Sequence, residues 1–112
     1  MRTVVEFKLF TRLVEGRLSA ANRRALIDSI ATHPESGDLI PGAGGARKLR
    51  WASSGRGKSG GARVVTYWHC HECPVYLITI YLKKERADLT QTEVAWLYSA
   101  AKDLSNAHQN HS

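Results

Sequence analysis

The run VYLITIYL at residues 75–82 limits what this chain can become more than any other segment. Near-continuous apolar character with β-branched and aromatic residues marks a strand central in a sheet, and we read that strand over 75–83. The run is far short of the ~20 residues that a membrane-spanning helix needs, and the N-terminus lacks a signal-peptide layout. A soluble, cytoplasmic chain without membrane contact is therefore expected. Its 112 residues suffice for one compact domain, expected over 1–104, followed by a polar tail over 105–112.

The other elements follow from periodicity and punctuation. TVVEF at 3–7 reads as a first strand. Phe10, Leu13 and Val14 then recur at helical spacing, in a short helix closed near Gly16. Ser19 caps a second helix with Leu26, Ile27 and Ile30 as its stripe, and Pro34 ends it near Thr32. HPESGDLIPGAGG at 33–45 reads as turn and loop. From Arg47 to Trp51 the chain alternates, with Lys48 and Arg50 on the face opposite Arg47, Leu49 and Trp51. SSGRGKSGG is a flexible loop, RVVTYW at 63–68 a strand, and 69–74 a turn. Thr90 and Glu93 have capping-box spacing, with Leu89 and Val94 placed as a staple. The last helix presents Val94, Leu97, Ala101 and Leu104, and frays after Asp103. The order β-α-α-β-β-β-α is an α+β arrangement.

Charge points to the partner. Arg47, Lys48, Arg50, Arg56, Lys58 and Arg63 lie between Leu39 and His71 without one carboxylate, while the other ten Lys/Arg are matched by ten Asp/Glu. The whole excess of +6 therefore sits in one glycine-rich stretch, 42–68, and such a field selects a polyanion. Gly57, Lys58 and Ser59 end like a nucleotide-binding loop, but that motif opens a helix and here a strand follows, so ATP or GTP is not the expected ligand. His69, Cys70, His71 and Cys73 crowd a turn without the paired spacing of a zinc site. The two cysteines are too few for a disulfide scaffold, and a bridge across so short a separation is a redox feature more than a staple.

Lys48 and Arg50 on one strand, Arg63 on the next, and Tyr81 and Lys83 on the last share one sheet face, with strands about 5 Å apart. Such a face can bind phosphate. It can also cut RNA without metal, when the 2′-hydroxyl attacks the adjacent phosphorus with help from a base, a charge stabiliser and an acid. Lysine fits the base if neighbouring cations depress its pKa, and arginine the stabiliser. Charge alone favours plain phosphate binding.

The stretch GAGGARKLRWASSGRGKSGGARVVTYW, followed by VYLITIYLKKERADLT, resembles the HigB branch of the RelE/ParE superfamily, the toxins of bacterial type II toxin-antitoxin systems. The resemblance covers nearly the whole chain and is most specific in GRGKSGGARV and IYLKKERADL. It implies a small, mostly antiparallel twisted sheet packed against an N-terminal helical hairpin and a C-terminal helix. It further implies a cofactor-free, metal-independent endoribonuclease that cuts messenger RNA on the ribosome. The implied partner is a helix-turn-helix antitoxin, through which alone the complex reaches operator DNA. By the same resemblance Lys48, Arg50, Arg63 and Lys83 or Lys84 form the catalytic set, with Tyr81 beside them, and Arg47, Arg56 and Lys58 contact RNA or ribosome phosphate. Several relatives stack a tyrosine on the substrate base where Thr90 stands here, leaving Tyr81 or Tyr98 as substitutes; His69 and His71 are further acid-base candidates. Two other functions stay open at this point: a non-enzymatic ParE-type inhibitor of DNA gyrase, and an inactive RNA- or ribosome-binding module.

Overall fold

Two strands, β4 (Ala62–Trp68) and β5 (Val75–Leu82), are buried along nearly their whole length and pair antiparallel from Ala62↔Leu82 to Trp68↔Val75. The computed structural model describes residues 2–52 and 61–109. The sheet built on this pair runs β1-β5-β4-β3-β2. β1 (Val4–Glu6) lies parallel to β5, β3 (Arg47–Trp51) antiparallel to β4, and β2 (Asp38–Leu39) antiparallel to β3. β2 lies inside the segment expected to be turn and loop. Two exposed residues carry no periodicity from which a strand can be read; only pairing with β3 defines it.

Each sheet face is covered by helix. α1 (Lys8–Val14) and α2 (Ala20–Thr32) supply Phe10, Val14, Leu26 and Ile30 to a cluster with Ala62, Val64, Leu77 and Ile80. Gly16, at φ +82°, turns the chain after α1, a conformation other residues rarely adopt. Ser19 Oγ accepts the Asn22 N–H at 3.1 Å and so starts α2 as expected. α3 (Gln91–Gln109) covers the opposite face, where Val94, Leu97, Ala101 and Leu104 pack with Val65, Tyr67 and Ile78. Its entry is fixed by a reciprocal cap: Glu93 N–H donates to Thr90 Oγ1 at 3.1 Å, and Thr90 N–H to Glu93 Oε1 at 2.7 Å. The helix does not fray at Asp103 but continues to Gln109, because polar residues extend a helix at little cost once its first turns are docked. Among the described residues no helix is long and apolar enough to cross a membrane.

The register of β5 shifts once. Val65 pairs with Thr79 and Thr66 with Leu77, so Ile78 is the extra residue of a bulge. Ile78 joins the α3-side core, while Leu77 and Ile80 both reach the α1/α2 side. From Thr79 onward β5 therefore aims Tyr81 at the α3 side, in line with Arg63.

Glu6, at the end of β1, ties the first three elements together. It accepts from Arg23 Nε of α2 at 2.9 Å and from Thr11 Oγ1 of α1 at 2.7 Å, and the Arg23 bond is the chief cause of a carboxyl pKa below its ordinary value. A carboxylate depressed in the folded state stabilises the fold above the unfolded pKa, and that contribution is lost as pH falls through the folded pKa. The urea midpoint should thus hold from neutral pH to about 4, the ordinary carboxylate range, and fall below it. Glu6→Gln should lower the midpoint at neutral pH and flatten the acid fall; an unchanged acid slope would mean that this ion pair is not coupled to folding.

Candidate nucleic-acid interface

Two register rows place the cations. Arg50 lies directly across from Arg63, Arg63 directly across from Tyr81, and Lys48 one row along, opposite Val65. Paired residues share a face, so Lys48, Arg50, Arg63 and Tyr81 all lie on the α3 side of the sheet, with strands about 4.8 Å apart. Arg63 is 6% exposed and Arg50 is on the surface. Two arginines facing each other across a strand pair repel. Among the described residues no carboxylate pairs with Arg50.

The face is not free of carboxylates, contrary to expectation. Asp88, in the connection between β5 and α3, accepts Lys48 Nζ at 2.7 Å, Leu89 N–H at 2.8 Å and the Tyr81 hydroxyl at 3.4 Å, all on Oδ1. The Lys48 bond is the main reason that Asp88 titrates below its ordinary range. Arg86 lies over the Tyr81 ring, 4.7 Å from its centroid, and is held by both Glu93 oxygens at 2.7 and 2.8 Å. Burial raises the Tyr81 phenol pKa, while the nearby Lys48, Arg63 and Arg86 charges oppose the rise. Sequence reading missed Asp88, Arg86 and the second role of Glu93. Forty residues separate Asp88 from Lys48, and only the capping-box spacing hinted that Glu93 matters.

Other expected site residues fall elsewhere. β5 ends at Leu82, so Lys83 does not extend the strand beside Tyr81, and Lys83 and Lys84 are exposed in the following turn. Tyr81 is 3% exposed with a guanidinium on its ring, which leaves no open face to stack on a base. Tyr98 is half exposed but lies against Gly44, and Thr90 is engaged in the helix cap. Arg47 is on the opposite sheet face, donating to the Gly37 carbonyl at 3.1 Å. Arg56 and Lys58 lie outside the described residues. His69 and His71 sit at the far end of β4, about 20 Å from Arg63 along the strand. In that turn Cys70 and Cys73 form a disulfide, with Cα atoms 5.1 Å apart. Among the described residues no group of three or more His, Cys, Asp or Glu is placed to hold a metal ion.

The family model for the RelE toxin of the RelE/RelB toxin-antitoxin system matches residues 3–111. The chain belongs to the RelE toxin family. Its fold is also similar to that of a solved structure, the E. coli toxin RelE in the free state with two arginines replaced by alanine. That match has a TM-score of 0.51 at 16% identity and covers 91% of this chain and 95% of that one. In this member of the RelE family, then, the basic face formed by Lys48, Arg50 and Arg63 lies beside an open groove of about 340 Å³. Asp38, Leu39, Ile40, Pro41, Lys48, Asp88, Leu89 and Val94 border that groove.

Gly37 immediately precedes β2, whose Asp38 and Leu39 border the groove. Its φ is +91°, and a Cβ there would stand 2.7 Å from the backbone oxygen of Lys48. Alanine therefore meets both backbone strain and a clash with β3. Gly37→Ala should cost about 1–3 kcal/mol, measured by urea or thermal unfolding. Stability within a few tenths of the parent would show that β2 reshapes without disturbing Lys48.

Proposed function

We propose that this toxin is a ribosome-dependent endoribonuclease that cuts messenger RNA and arrests translation in the cytoplasm. The observation that carries the reading is the convergence of Lys48, Arg50 and Arg63 on one rigid sheet face, with the Tyr81 hydroxyl beside them. The 2′-oxygen forms a bond to phosphorus, the P–O5′ bond breaks, the 2′-proton leaves and the 5′-oxygen gains one. The products are a 2′,3′-cyclic phosphate and a free 5′-hydroxyl. No step requires a metal or cofactor. Arg63, buried and fixed by its strand, and exposed Arg50 opposite it bind the non-bridging oxygens whose charge grows at the transition state. Lys48 donates to an anionic oxygen, a role its bond to Asp88 already displays, and this geometry favours phosphate binding over base chemistry for Lys48. Arg56 and Lys58, cations of the glycine-rich sequence SSGRGKSGG, are assigned to further phosphate contacts. As a toxin of the RelE/RelB type, the chain is held inactive by an antitoxin, which we propose carries a helix-turn-helix domain and takes the complex to operator DNA.

Expression without antitoxin should stop growth and leave cuts in translated messages alone. Arg50→Ala changes an exposed residue, so it should fold normally and lower cleavage by about 10²-fold or more, as loss of a transition-state donor does. Growth arrest with intact messages and inhibited supercoiling by purified gyrase would replace this reading with a ParE-type one. Parallel loss of ribosome association and toxicity in Arg50→Ala would indicate binding without chemistry.

A further inference from the structure

We propose that the Asp88 carboxylate occupies, in the unbound toxin, the position of an RNA phosphodiester oxygen at Lys48 and Tyr81, and that RNA binds by displacing it. The inference rests on the reading of this face as an RNA site. Three donors converge on the one oxygen Oδ1: the Lys48 ammonium at 2.7 Å, the Leu89 N–H at 2.8 Å and the Tyr81 hydroxyl at 3.4 Å. A charged and a hydroxyl donor aimed at one anionic oxygen are what a phosphodiester oxygen needs.

The two sides of this contact differ in how firmly they are held. The Lys48 side chain is 29% exposed on β3, and Tyr81 is buried in β5 beneath Arg86, which Glu93 grips with both oxygens. Asp88 has a side chain 63% exposed, on a connection between elements, and borders the open groove into which it can withdraw. The donors are built in and the acceptor is exchangeable. A solvent-exposed ion pair is worth little, so exchange is cheap for an arriving phosphate that also meets Arg50 and Arg63 on the same face. While unoccupied, the arrangement keeps Lys48 extended along the face and lowers the affinity of the site for stray anions.

The test is binding of the full chain to a short 2′-O-methylated single-stranded RNA, which cannot be cut, followed by fluorescence anisotropy over a salt series. Asp88→Asn retains an oxygen for Leu89 and Tyr81 while removing the competing charge. It should bind several-fold more tightly at low salt, with the slope of log affinity against log salt steeper by about 0.7, one further ion released per RNA. Asp88→Ser, uncharged and still able to cap Leu89, should behave alike if Asp88→Asn folds poorly. The gain should vanish in a Lys48→Ala background. If Lys48→Ala weakens binding but neither Asp88 variant strengthens it, the displacement is overturned and the RNA reading stands. A gain that survives in Lys48→Ala also overturns it, since general charge then explains the effect. If the RNA binds neither parent nor variants, the displacement is overturned, while the RNA reading stands or falls on cleavage of translated messages.

Discussion

The antiparallel pairing of β4 with β5, interrupted by one extra residue at Ile78, is the constraint on which the rest of the molecule depends. Both strands are buried between helical layers, so each side chain must belong to one core or the other, and a slip of one position would reverse every assignment. The bulge lets Leu77 and Ile80 serve the α1/α2 core while Ile78 and Tyr81 serve the α3 side. Arg63 and Tyr81 are thereby placed side by side, and β3 adds Lys48 and Arg50 to the same face through its own register. The site is a by-product of how the core is packed.

This face gathers like charges: Arg63 is nearly buried, Arg50 faces it, and Lys48 is in the next row on the same face. The connection from β5 to α3 moderates this. Asp88 engages Lys48, and Glu93 neutralises Arg86 above Tyr81 while also capping α3. One short connection thus starts a helix and supplies counter-charge to the site. Local contacts hold the opposite end of the β4–β5 hairpin. Arg2 lies over Trp68, 4.9 Å from its ring centroid, Thr3 accepts from Val75 N–H at 2.9 Å, and the Cys70–Cys73 bridge closes the turn.

Much of this was legible in the chain itself. The apolar run at 75–82 marked a central strand, the alternation from Arg47 to Trp51 separated Lys48 and Arg50 from Leu49 and Trp51, and Ser19, Thr90 and Glu93 announced the starts of α2 and α3. These signals are local: a cap, a period of two or a helical stripe is set by residues within one or two turns of each other. The same locality explains why the excess positive charge and the family resemblance are legible in the sequence alone.

What only the tertiary structure decided is everything that depends on register and on partners distant in sequence. Pairing alone defines the two-residue β2, and the bulge at Ile78 is invisible in a run where every residue is apolar or β-branched. Docking against the sheet carries α3 past Asp103, and the chain's return after β5 brings Asp88 to Lys48 across forty residues. The sequence by itself determined which residues are cations and where the longer strands and helices lie, because those properties are local. Tyr81 was buried under Arg86 and Lys48 was given a carboxylate partner only when the strands aligned, because long-range electrostatics and packing exist only between surfaces that folding has already brought together.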